Sequence, residues 1–355
     1  MFSIEQQLKK ADSSELNQEF LVAPKIIKTL CPIDKELEDF VTESRVSISN
    51  ILKKNDSRIL VVVGPCSIHD PKAALEYAKK LRVLAKLVEK NIFIVMRVYF
   101  AKPRTSIGWQ GFISDPYLDN SNKINDGLLQ ARELLVKINQ LGLPAATEFL
   151  DCITSKYLLD LISWGAIGAR TVESQMHRNF VSGLDLPVGF KNSTNGEITT
   201  AVEAIFAASQ SHLDISINDD GQIISKQTIG NKNTHIVLRG GKITGPNYKA
   251  QDILEVVEKL EKLRQYKINN AVMVDCSHGN SEKNYLNQKN VFYNILDQLK
   301  QKHDQYIKGL MLESFLHPGR QELDLSNLAY GVSVTDSCIG WEETCLLINE
   351  LHNNL

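Results

Sequence analysis

Hydrophobic and polar positions divide the chain into a polar N-terminal part and a longer part with a repeating pattern. Residues 41–54 place Val and Ile side chains at helical spacing, which predicts an amphipathic helix. Residues 21–32 contain two prolines and predict an extended arm. The sequence therefore predicts an N-terminal arm and helix over 1–57, serving oligomerisation or regulation, and a single barrel domain over 58–355.

From residue 58 onward, eight short β-branched runs each precede a helical pattern. The runs are apolar on both faces, as buried parallel strands are. This rhythm predicts an α/β fold of the (β/α)8 TIM-barrel type. A doubly wound open sheet is the competing arrangement, but eight units close a barrel without leaving an edge. The predicted strands are 58–64, 92–98, 144–149, 166–170, 187–191, 235–239, 271–275 and 307–314. The predicted helices between and after them are 71–90, 127–141, 154–163, 174–183, 197–210, 250–265, 285–303 and 341–351.

Residues 212–234 break this rhythm. They contain two alternating runs around Asp220 and Gly221, and this dipeptide is a strong turn signal. The sequence therefore predicts a β-hairpin inserted before the sixth barrel strand.

Composition excludes several classes of protein. The chain has 40 Lys and Arg against 42 Asp and Glu, and 43% of its 355 residues are hydrophobic, which excludes a disordered chain and a general polyanion binder. No basic stripe with interleaved aromatic residues indicates nucleic acid as a partner, and no apolar run is long enough to span a membrane. Six scattered cysteines without a CxxC pair do not indicate a disulfide framework. We expect a cytoplasmic protein with reduced thiols.

Positively charged residues collect at the predicted strand ends, where the chemistry of a barrel of this type takes place. Arginine is suited to carboxylate and phosphate oxygens, so these residues predict a ligand with several negative charges. The alternative is that each cation pairs with a surface carboxylate. The six cations are Arg97, Lys102, Arg104, Arg170, Lys191 and Arg239.

A second set of strand-end residues has side chains that bind metals. One thiol, one imidazole and two carboxylates indicate an exchangeable divalent transition ion rather than Mg²⁺ or a closed structural Zn²⁺ site. Taken singly, the cysteine could be a buried thiol and the histidine a helix cap. The four residues are Cys66, His278, Glu313 and Asp336.

Long motifs spread over the barrel carry a family resemblance that covers residues 20–350. The chain resembles the type I, aromatic-amino-acid-regulated group of 3-deoxy-D-arabino-heptulosonate 7-phosphate (DAHP) synthases. The matching segments are GPCSIHD (64–70), MRVYFAKPRT (96–105), ATEFLD (146–151), GAIGARTVESQMHR (165–178), PVGFKN (187–192), VLRGGK (237–242), PNY (246–248), VDCSHGNS (274–281), ES (313–314) and TDSCIGWE (335–342).

The resemblance implies a metal-dependent aldol-type condensation. Phosphoenolpyruvate, erythrose 4-phosphate and water would give DAHP and phosphate, which is the first step of the shikimate pathway. One Mn, Fe, Co or Zn ion would bind at the four predicted ligands. The resemblance also implies a homodimer or homotetramer and an aromatic amino acid effector.

The resemblance also implies roles for individual residues. Those assigned to substrate binding are Arg97, Lys102, Pro103, Arg104, Thr105, Ala169 through its backbone, Arg170, Lys191 and Arg239. Those assigned to catalysis are Lys102, Glu148, Lys191 and Asp336. Glu148 and Lys191 would handle the attacking water and its protons, and Lys102 would protonate the new alkoxide.

The region that would hold the effector departs from the family pattern. Ser155 and Lys156 replace the usual Pro-Gln pair, and Asp214 stands at an apolar position, whereas Ser216 follows the pattern of phenylalanine-sensitive members. Two alternatives to the predicted function stay open. One is 3-deoxy-D-manno-octulosonate 8-phosphate synthase, which uses a pentose phosphate. The other is a non-catalytic barrel that binds aromatic amino acids.

Overall fold

The computed structural model describes residues 20–101, 108–301 and 305–355. Its barrel strands are β1 Ile59–Gly64, β2 Ile92–Arg97, β3 Ala145–Glu148, β4 Trp164–Ile167, β5 Val188–Lys191, β8 Thr234–Leu238, β9 Val272–Asp275 and β10 Ile307–Glu313. These eight strands are parallel and close into a barrel in the order β1-β10-β9-β8-β5-β4-β3-β2. The predicted (β/α)8 barrel is confirmed.

Helices precede the barrel and surround it. Within the described residues they are α1 Pro24–Leu30, α2 Lys35–Leu52, α3 Pro71–Val88, α4 Ile124–Gln140, α5 Gln175–Ser182, α6 Thr199–Ala208, α7 Ala250–Glu261, α8 Gln288–Lys300 and α9 Trp341–Asn354. Short 3-10 turns occupy Thr154–Tyr157, Leu159–Leu161, Arg264–Tyr266 and Tyr285–Asn287. None of the described helices combines the length and apolar composition that a bilayer crossing requires.

The predicted helix over 154–163 is wrong, because two 3-10 turns connect β3 to β4. The Asp151 carboxylate accepts hydrogen bonds from the backbone amides of Ile153 and Thr154, at 2.8 and 2.6 Å. The hydroxyl of Ser155 donates to the Asp151 carbonyl at 2.7 Å. Such local polar bonds satisfy the backbone in a turn and compete with helix formation.

The predicted extended arm over 21–32 is also wrong, since α1 lies within it. Pro24 is the first residue of α1, where a helix loses no hydrogen bond to proline. The following helix begins earlier than predicted, because the side chain of Asp34 caps α2 by accepting from the Leu37 amide at 2.9 Å.

The N-terminal end of the barrel is closed by α2. Ile48, Ile51 and Leu52 of this helix belong to the same buried cluster as the inward side chains of the strands. The side chain of Arg45 donates to the carbonyls of Leu159 and Ile162, just before β4. Apolar side chains therefore fill the N-terminal end of the barrel. The polar side chains of the barrel interior lie at the opposite end, where the strands have their carboxyl ends.

The predicted hairpin before the sixth barrel strand is confirmed as β6 Leu213–Ile217 and β7 Ile223–Gln227. The two strands pair antiparallel from Leu213↔Gln227 to Ile217↔Ile223. Gly221 in the turn has φ +78°, a conformation that glycine adopts without a steric penalty. The sequence signal at Asp220 and Gly221 therefore has a direct structural cause.

Candidate active site

Charged residues form the uppermost inward-facing layer of the barrel. Successive strand residues point to opposite faces, so an inward series takes every second position. In β2, β9 and β10 the inward residues below are apolar, as Val95, Met273 and Met311 show. The next inward residues are charged on six strands: Arg97, Glu148, Lys191, Arg239, Asp275 and Glu313. The layer thus holds three cations and three carboxylates.

Two buried ion pairs join members of this layer. Arg97 Nη2 lies 3.1 Å from Glu313 Oε1, and Lys191 Nζ lies 3.1 Å from Asp275 Oδ2. All four side chains are at most 3% exposed. The alternative of surface carboxylate partners is wrong for Arg97 and Lys191, because each has its carboxylate partner inside the barrel. The binding of an anionic ligand by these two residues stays a prediction.

Arg97 is fixed from several sides. Its guanidinium donates to the carbonyls of Pro65 and Cys66, both at 3.3 Å, and lies 2.9 Å from Met311 Sδ. The ring of Tyr99 stacks on it, with 3.9 Å between the guanidinium carbon and the ring centroid. Burial alone would lower the pKa of Arg97, but the surrounding anionic groups raise it, so the side chain stays charged.

Asp275 is the carboxylate that links Lys191 to His278. Its Oδ2 lies 3.1 Å from Lys191 Nζ and 2.9 Å from His278 Nδ1. Burial would raise the pKa of Asp275, but the adjacent His278 and Lys191 hold it well below its usual range. The Asp275 carboxylate therefore lies next to both side chains. The sequence places Asp275 at a strand end but does not indicate a role for it.

Arg239 follows β8 on a loop that three asparagines hold in place. The side chain of Asn192 accepts from the Arg239 amide at 2.8 Å, and that of Asn247 accepts from Gly240 at 2.7 Å. Asn280 in turn accepts from the Asn247 amide at 2.8 Å. Burial lowers the pKa of Arg239, Asp275 opposes this, and the positive charge of Arg170 lowers it further. Two neighbouring arginines of this kind favour an anionic ligand.

Three of the four predicted metal ligands lie together. One potential ligand atom from each of Cys66, Glu313 and Asp336 lies within 4.8 Å of the other two. The register brings them close, because Gly64 in β1 pairs with Glu313 in β10 and Cys66 follows two residues later. Asp336 lies on the loop before α9. A hydrogen bond of 2.8 Å between Ser67 Oγ and Thr335 Oγ1 connects this loop to the segment that follows β1.

His278, the fourth predicted ligand, lies at the edge of this group. Its Nε2 is 3.7 Å from Glu313 Oε1, and its backbone has φ +56°, in the left-handed region. A thiolate with carboxylates and a nearby imidazole is a donor set that suits Mn²⁺, Fe²⁺, Co²⁺ or Zn²⁺. The described residues therefore fit a divalent transition ion.

Comparisons with known proteins give the family. The model of the DAHP synthetase I family matches residues 34–349. This chain belongs to the DAHP synthetase I family. The family resemblance predicted from the sequence motifs is thereby confirmed.

The similarity to individual members of the DAHP synthetase I family extends over almost the whole chain. A Tyr-sensitive phospho-2-dehydro-3-deoxyheptonate aldolase of Escherichia coli is 47% identical over 341 residues, covering 96% of this chain and 94% of that relative. A Phe-sensitive one from the same organism is 49% identical over 334 residues, covering 94% of each. A solved structure of this aldolase from Francisella tularensis has a TM-score of 0.92 and 48% identity, covering 95% of this chain and 97% of that one.

The remaining predicted site residues differ in what the structure describes. Ala169 and Arg170 lie in the turn after β4, because this strand spans Trp164–Ile167 and not the predicted 166–170. The Glu148 carboxylate packs against Gly168, and a Cβ atom at position 168 would clash with Glu148 Oε1. Lys102, Pro103, Arg104 and Thr105 lie outside the described residues.

Proposed function

We propose that this chain condenses phosphoenolpyruvate with D-erythrose 4-phosphate and water to give DAHP and phosphate, as a member of the DAHP synthetase I family. This reaction is the first step of the shikimate pathway. One observation carries the proposal. The Cys66–Glu313–Asp336 group shares Glu313 with Arg97, so a metal site and an anion-binding arginine lie in direct contact.

The phosphoenolpyruvate pocket consists of the cations at the strand ends. Arg97, Lys191 and Arg239 come from the inward layer, Arg170 comes from the turn after β4, and Lys102 completes the set from the sequence motif. Arginine forks bind carboxylate and phosphate oxygens in two-point contacts. The backbone of Ala169, next to Arg170, is the further contact that the family motif suggests.

Pro103, Arg104 and Thr105 bind the erythrose phosphate in this proposal. Their assignment rests on the KPRT motif in the sequence. In the sequence this motif follows β2 and Tyr99. A guanidinium and a hydroxyl are both donors suited to a phosphate group.

Cys66, His278, Glu313 and Asp336 hold one divalent ion in this proposal, which would be Mn²⁺, Fe²⁺, Co²⁺ or Zn²⁺. When bound, such an ion polarises a carbonyl oxygen as a Lewis acid. The protein fixes the orientation of the ligands. Ser277 donates to Glu313 Oε2 at 2.8 Å, and Asp275 contacts His278 at 2.9 Å. These supporting contacts hold the donor atoms ready for the ion.

Proton transfer falls to three residues. C3 of phosphoenolpyruvate attacks the aldehyde carbon, water adds at C2, and the C2–O bond to phosphate breaks. Glu148 and Lys191 handle the water and its protons, and Lys102 protonates the new alkoxide. Asp336 takes part in the reaction as one of the proposed metal ligands. Lys191 starts paired with Asp275, which keeps its ammonium group directed into the site.

The experiment that tests this function is a product assay with two aldoses. Metal-loaded protein and phosphoenolpyruvate are given erythrose 4-phosphate or arabinose 5-phosphate, and the sugar products and released phosphate are measured. We expect DAHP and an equal amount of phosphate with erythrose 4-phosphate only. Product from arabinose 5-phosphate alone would favour the octulosonate synthase alternative, and no product from either would favour a non-catalytic barrel.

An aromatic amino acid is the effector in our proposal, near the carboxyl end of β3 and the hairpin. This region contains a cluster of charges that includes Lys156, Asp214 and Lys226. Lys226 Nζ is 3.9 Å from Asp214 Oδ2, and both burial and the neighbouring Lys226 lower the pKa of Lys156. Ser155 lines a small cavity beside this cluster. Adding Phe, Tyr and Trp in turn to the steady-state assay identifies the effector. If none of the three inhibits the reaction, the proposal of an aromatic amino acid effector is contradicted.

A homodimer or homotetramer is supported by the reversed polarity of the hairpin. Its outer face carries Ile215 and Ile223, which are 73% and 80% exposed, whereas Asp214 and Ser216 face inward and are buried. A two-stranded sheet normally buries its apolar face. Exposed apolar side chains on the hairpin and on the neighbouring α1, α5 and β3–β4 connection are available to a partner, and a standard interface buries about 800 Å² on each partner. They are Ile26, Leu30, Ile153, Met176, Leu213, Ile215 and Ile223.

A second copy of the chain covers this face in our proposal. Light scattering should give a dimer or tetramer mass for the wild type and a lower mass for Ile215→Lys combined with Ile223→Lys. Leu87→Lys, at an exposed apolar position on α3, is the control that should keep the wild-type mass. A monomeric wild type would contradict the proposal.

A further inference from the structure

The inward series of β2 continues past the strand end to Tyr99. Phe93, Val95 and Arg97 take every second position, and Tyr99 is next, one pleat nearer the mouth. Only 3% of Tyr99 is exposed. Its ring stacks on the Arg97 guanidinium at 3.9 Å, so the side chain lies above the charged layer on which an anionic substrate would bind.

The hydroxyl of Tyr99 has no hydrogen-bond partner among the described residues. Other buried tyrosines in the protein are paired. Tyr77 donates to Ser314 Oγ at 2.9 Å, and Tyr157 donates to the Val22 carbonyl at 2.6 Å. A buried hydroxyl without a partner costs about 1–3 kcal/mol. Among the described residues nothing supplies an acceptor for the Tyr99 hydroxyl, and a bound molecule could supply it.

The charges around Tyr99 make its hydroxyl a donor. Burial raises the pKa of Tyr99, and Glu148, Asp275 and Glu313 raise it further against the opposing effect of Arg97. The phenol therefore keeps its proton. A protonated hydroxyl beside a guanidinium is a suitable second donor to an oxygen that carries negative charge.

We propose that the hydroxyl of Tyr99 donates a hydrogen bond to an anionic oxygen of phosphoenolpyruvate that Arg97 also contacts. This assignment rests on the proposed function and adds a substrate-binding residue that the sequence motifs did not suggest. The ring of Tyr99 orients the guanidinium, and its hydroxyl contributes a separate contact. The two parts of the side chain can therefore be tested separately.

Tyr99→Phe removes the hydroxyl and keeps the ring on Arg97. The free variant should be as heat-stable as the wild type or more stable, because it loses an unpaired buried group. Its affinity for phosphoenolpyruvate, measured by calorimetry without aldose, should fall about tenfold to 100-fold, the usual effect of losing a hydrogen bond to a charged group. The KM for phosphoenolpyruvate should rise by a similar factor, and the KM for erythrose 4-phosphate should stay within about twofold.

Tyr157→Phe is the matched control, because its hydroxyl is paired with the Val22 carbonyl and the residue belongs to a 3-10 turn after β3, not to the charged layer. It should lower the melting temperature and leave the affinity for phosphoenolpyruvate unchanged. A Tyr99→Phe variant that binds phosphoenolpyruvate as the wild type does would overturn the assignment. So would one that loses heat stability and affinity for both substrates together, which indicates a structural role. A wild-type protein that fails to bind phosphoenolpyruvate would instead overturn the proposed function, and this assignment with it.

Discussion

Arg97 Nη2 lies 3.1 Å from Glu313 Oε1, and neither side chain is more than 1% exposed. Glu313 belongs to the group of potential metal ligands, and Arg97 belongs to the proposed phosphoenolpyruvate pocket. One buried ion pair therefore joins the two halves of the site. Because each charge is the partner of the other, a change in the metal group also changes the arginine.

Glu313→Gln should affect metal binding and stability together. The amide removes an anionic ligand and leaves the buried Arg97 without its partner, which costs about 3–5 kcal/mol for pairs of this kind. We expect a metal affinity at least about 100-fold weaker and a clear loss of denaturant resistance. The matched control is Glu322→Gln, which removes the partner of Arg320 in an exposed pair at 3.0 Å and should cost less than about 1 kcal/mol. Equal effects of the two substitutions would contradict the account.

Cys66→Ser should remove the thiolate from the metal group. In the Co²⁺-loaded wild type, we expect a thiolate-to-metal absorption band that the variant lacks, together with a loss of activity. Cys345→Ser is the control at a half-buried free cysteine outside the group, and it should keep both the band and the activity. If Cys66→Ser retained the band, the thiolate would come from another cysteine.

Asp275→Asn tests the carboxylate that contacts both Lys191 and His278. Loss of its charge should reduce metal affinity about 10-fold to 100-fold, the usual effect of losing a group that orients a ligand. It should also lower kcat/KM for phosphoenolpyruvate, because Lys191 loses its partner at 3.1 Å. Asp160→Asn is the control, because it disrupts the Arg132–Asp160 ion pair at 2.8 Å, outside the site. It should reduce the free energy of unfolding and leave metal affinity and kcat/KM unchanged. Unchanged metal affinity in Asp275→Asn would show that Asp275 does not orient His278.

His235 should make the protein less stable in acid. Its side chain is fully buried beside Trp164, with 3.4 Å between His235 Nε2 and Trp164 Nε1, and burial lowers the pKa of His235 from 6.5 to about 3. The unfolded chain takes up a proton below about pH 6.5, whereas the folded chain does not until about pH 3. This histidine therefore lowers the free energy of unfolding by about 1.4 kcal/mol for each pH unit within that window.

Denaturant unfolding at pH 7.5 and pH 5.5 measures this effect. His235→Gln keeps an acceptor for Trp164 and cannot titrate, so the stability lost between the two pH values should be about 1–1.5 kcal/mol smaller in the variant than in the wild type. The same loss in both proteins would show that His235 is protonated in the folded state.

The barrel could be predicted because β-branched runs and helical patterns alternate locally along the chain. The hairpin followed equally from a local signal, since Asp220 and Gly221 occupy its turn. The errors arose where a short segment depends on its caps. Pro24 begins a helix in a segment for which the sequence predicts extended backbone. After β3, hydrogen bonds to the Asp151 side chain favour 3-10 turns over the predicted helix.

The site could be predicted only in part for a similar reason. Cations at strand ends are visible in the sequence, and so are the ligand types of Cys66, Glu313 and Asp336. The partner of each cation is not visible, because Asp275 follows Lys191 by 84 positions and meets it only across the closed barrel. The Tyr99 hydroxyl, which has no partner in the described part of the chain, likewise depends on packing that the sequence does not specify. The roles of all these site residues in binding and catalysis stay predictions.

Titration of the metal-stripped chain with Mn²⁺ tests the central claim most directly, with bound metal and DAHP formation followed in the same samples. We predict that the stripped chain forms no DAHP from phosphoenolpyruvate and erythrose 4-phosphate. Activity should then rise in proportion to bound metal and reach its maximum at one ion per chain. Full activity in the stripped chain, or no DAHP after loading with Mn²⁺, Fe²⁺, Co²⁺ or Zn²⁺, would contradict the account.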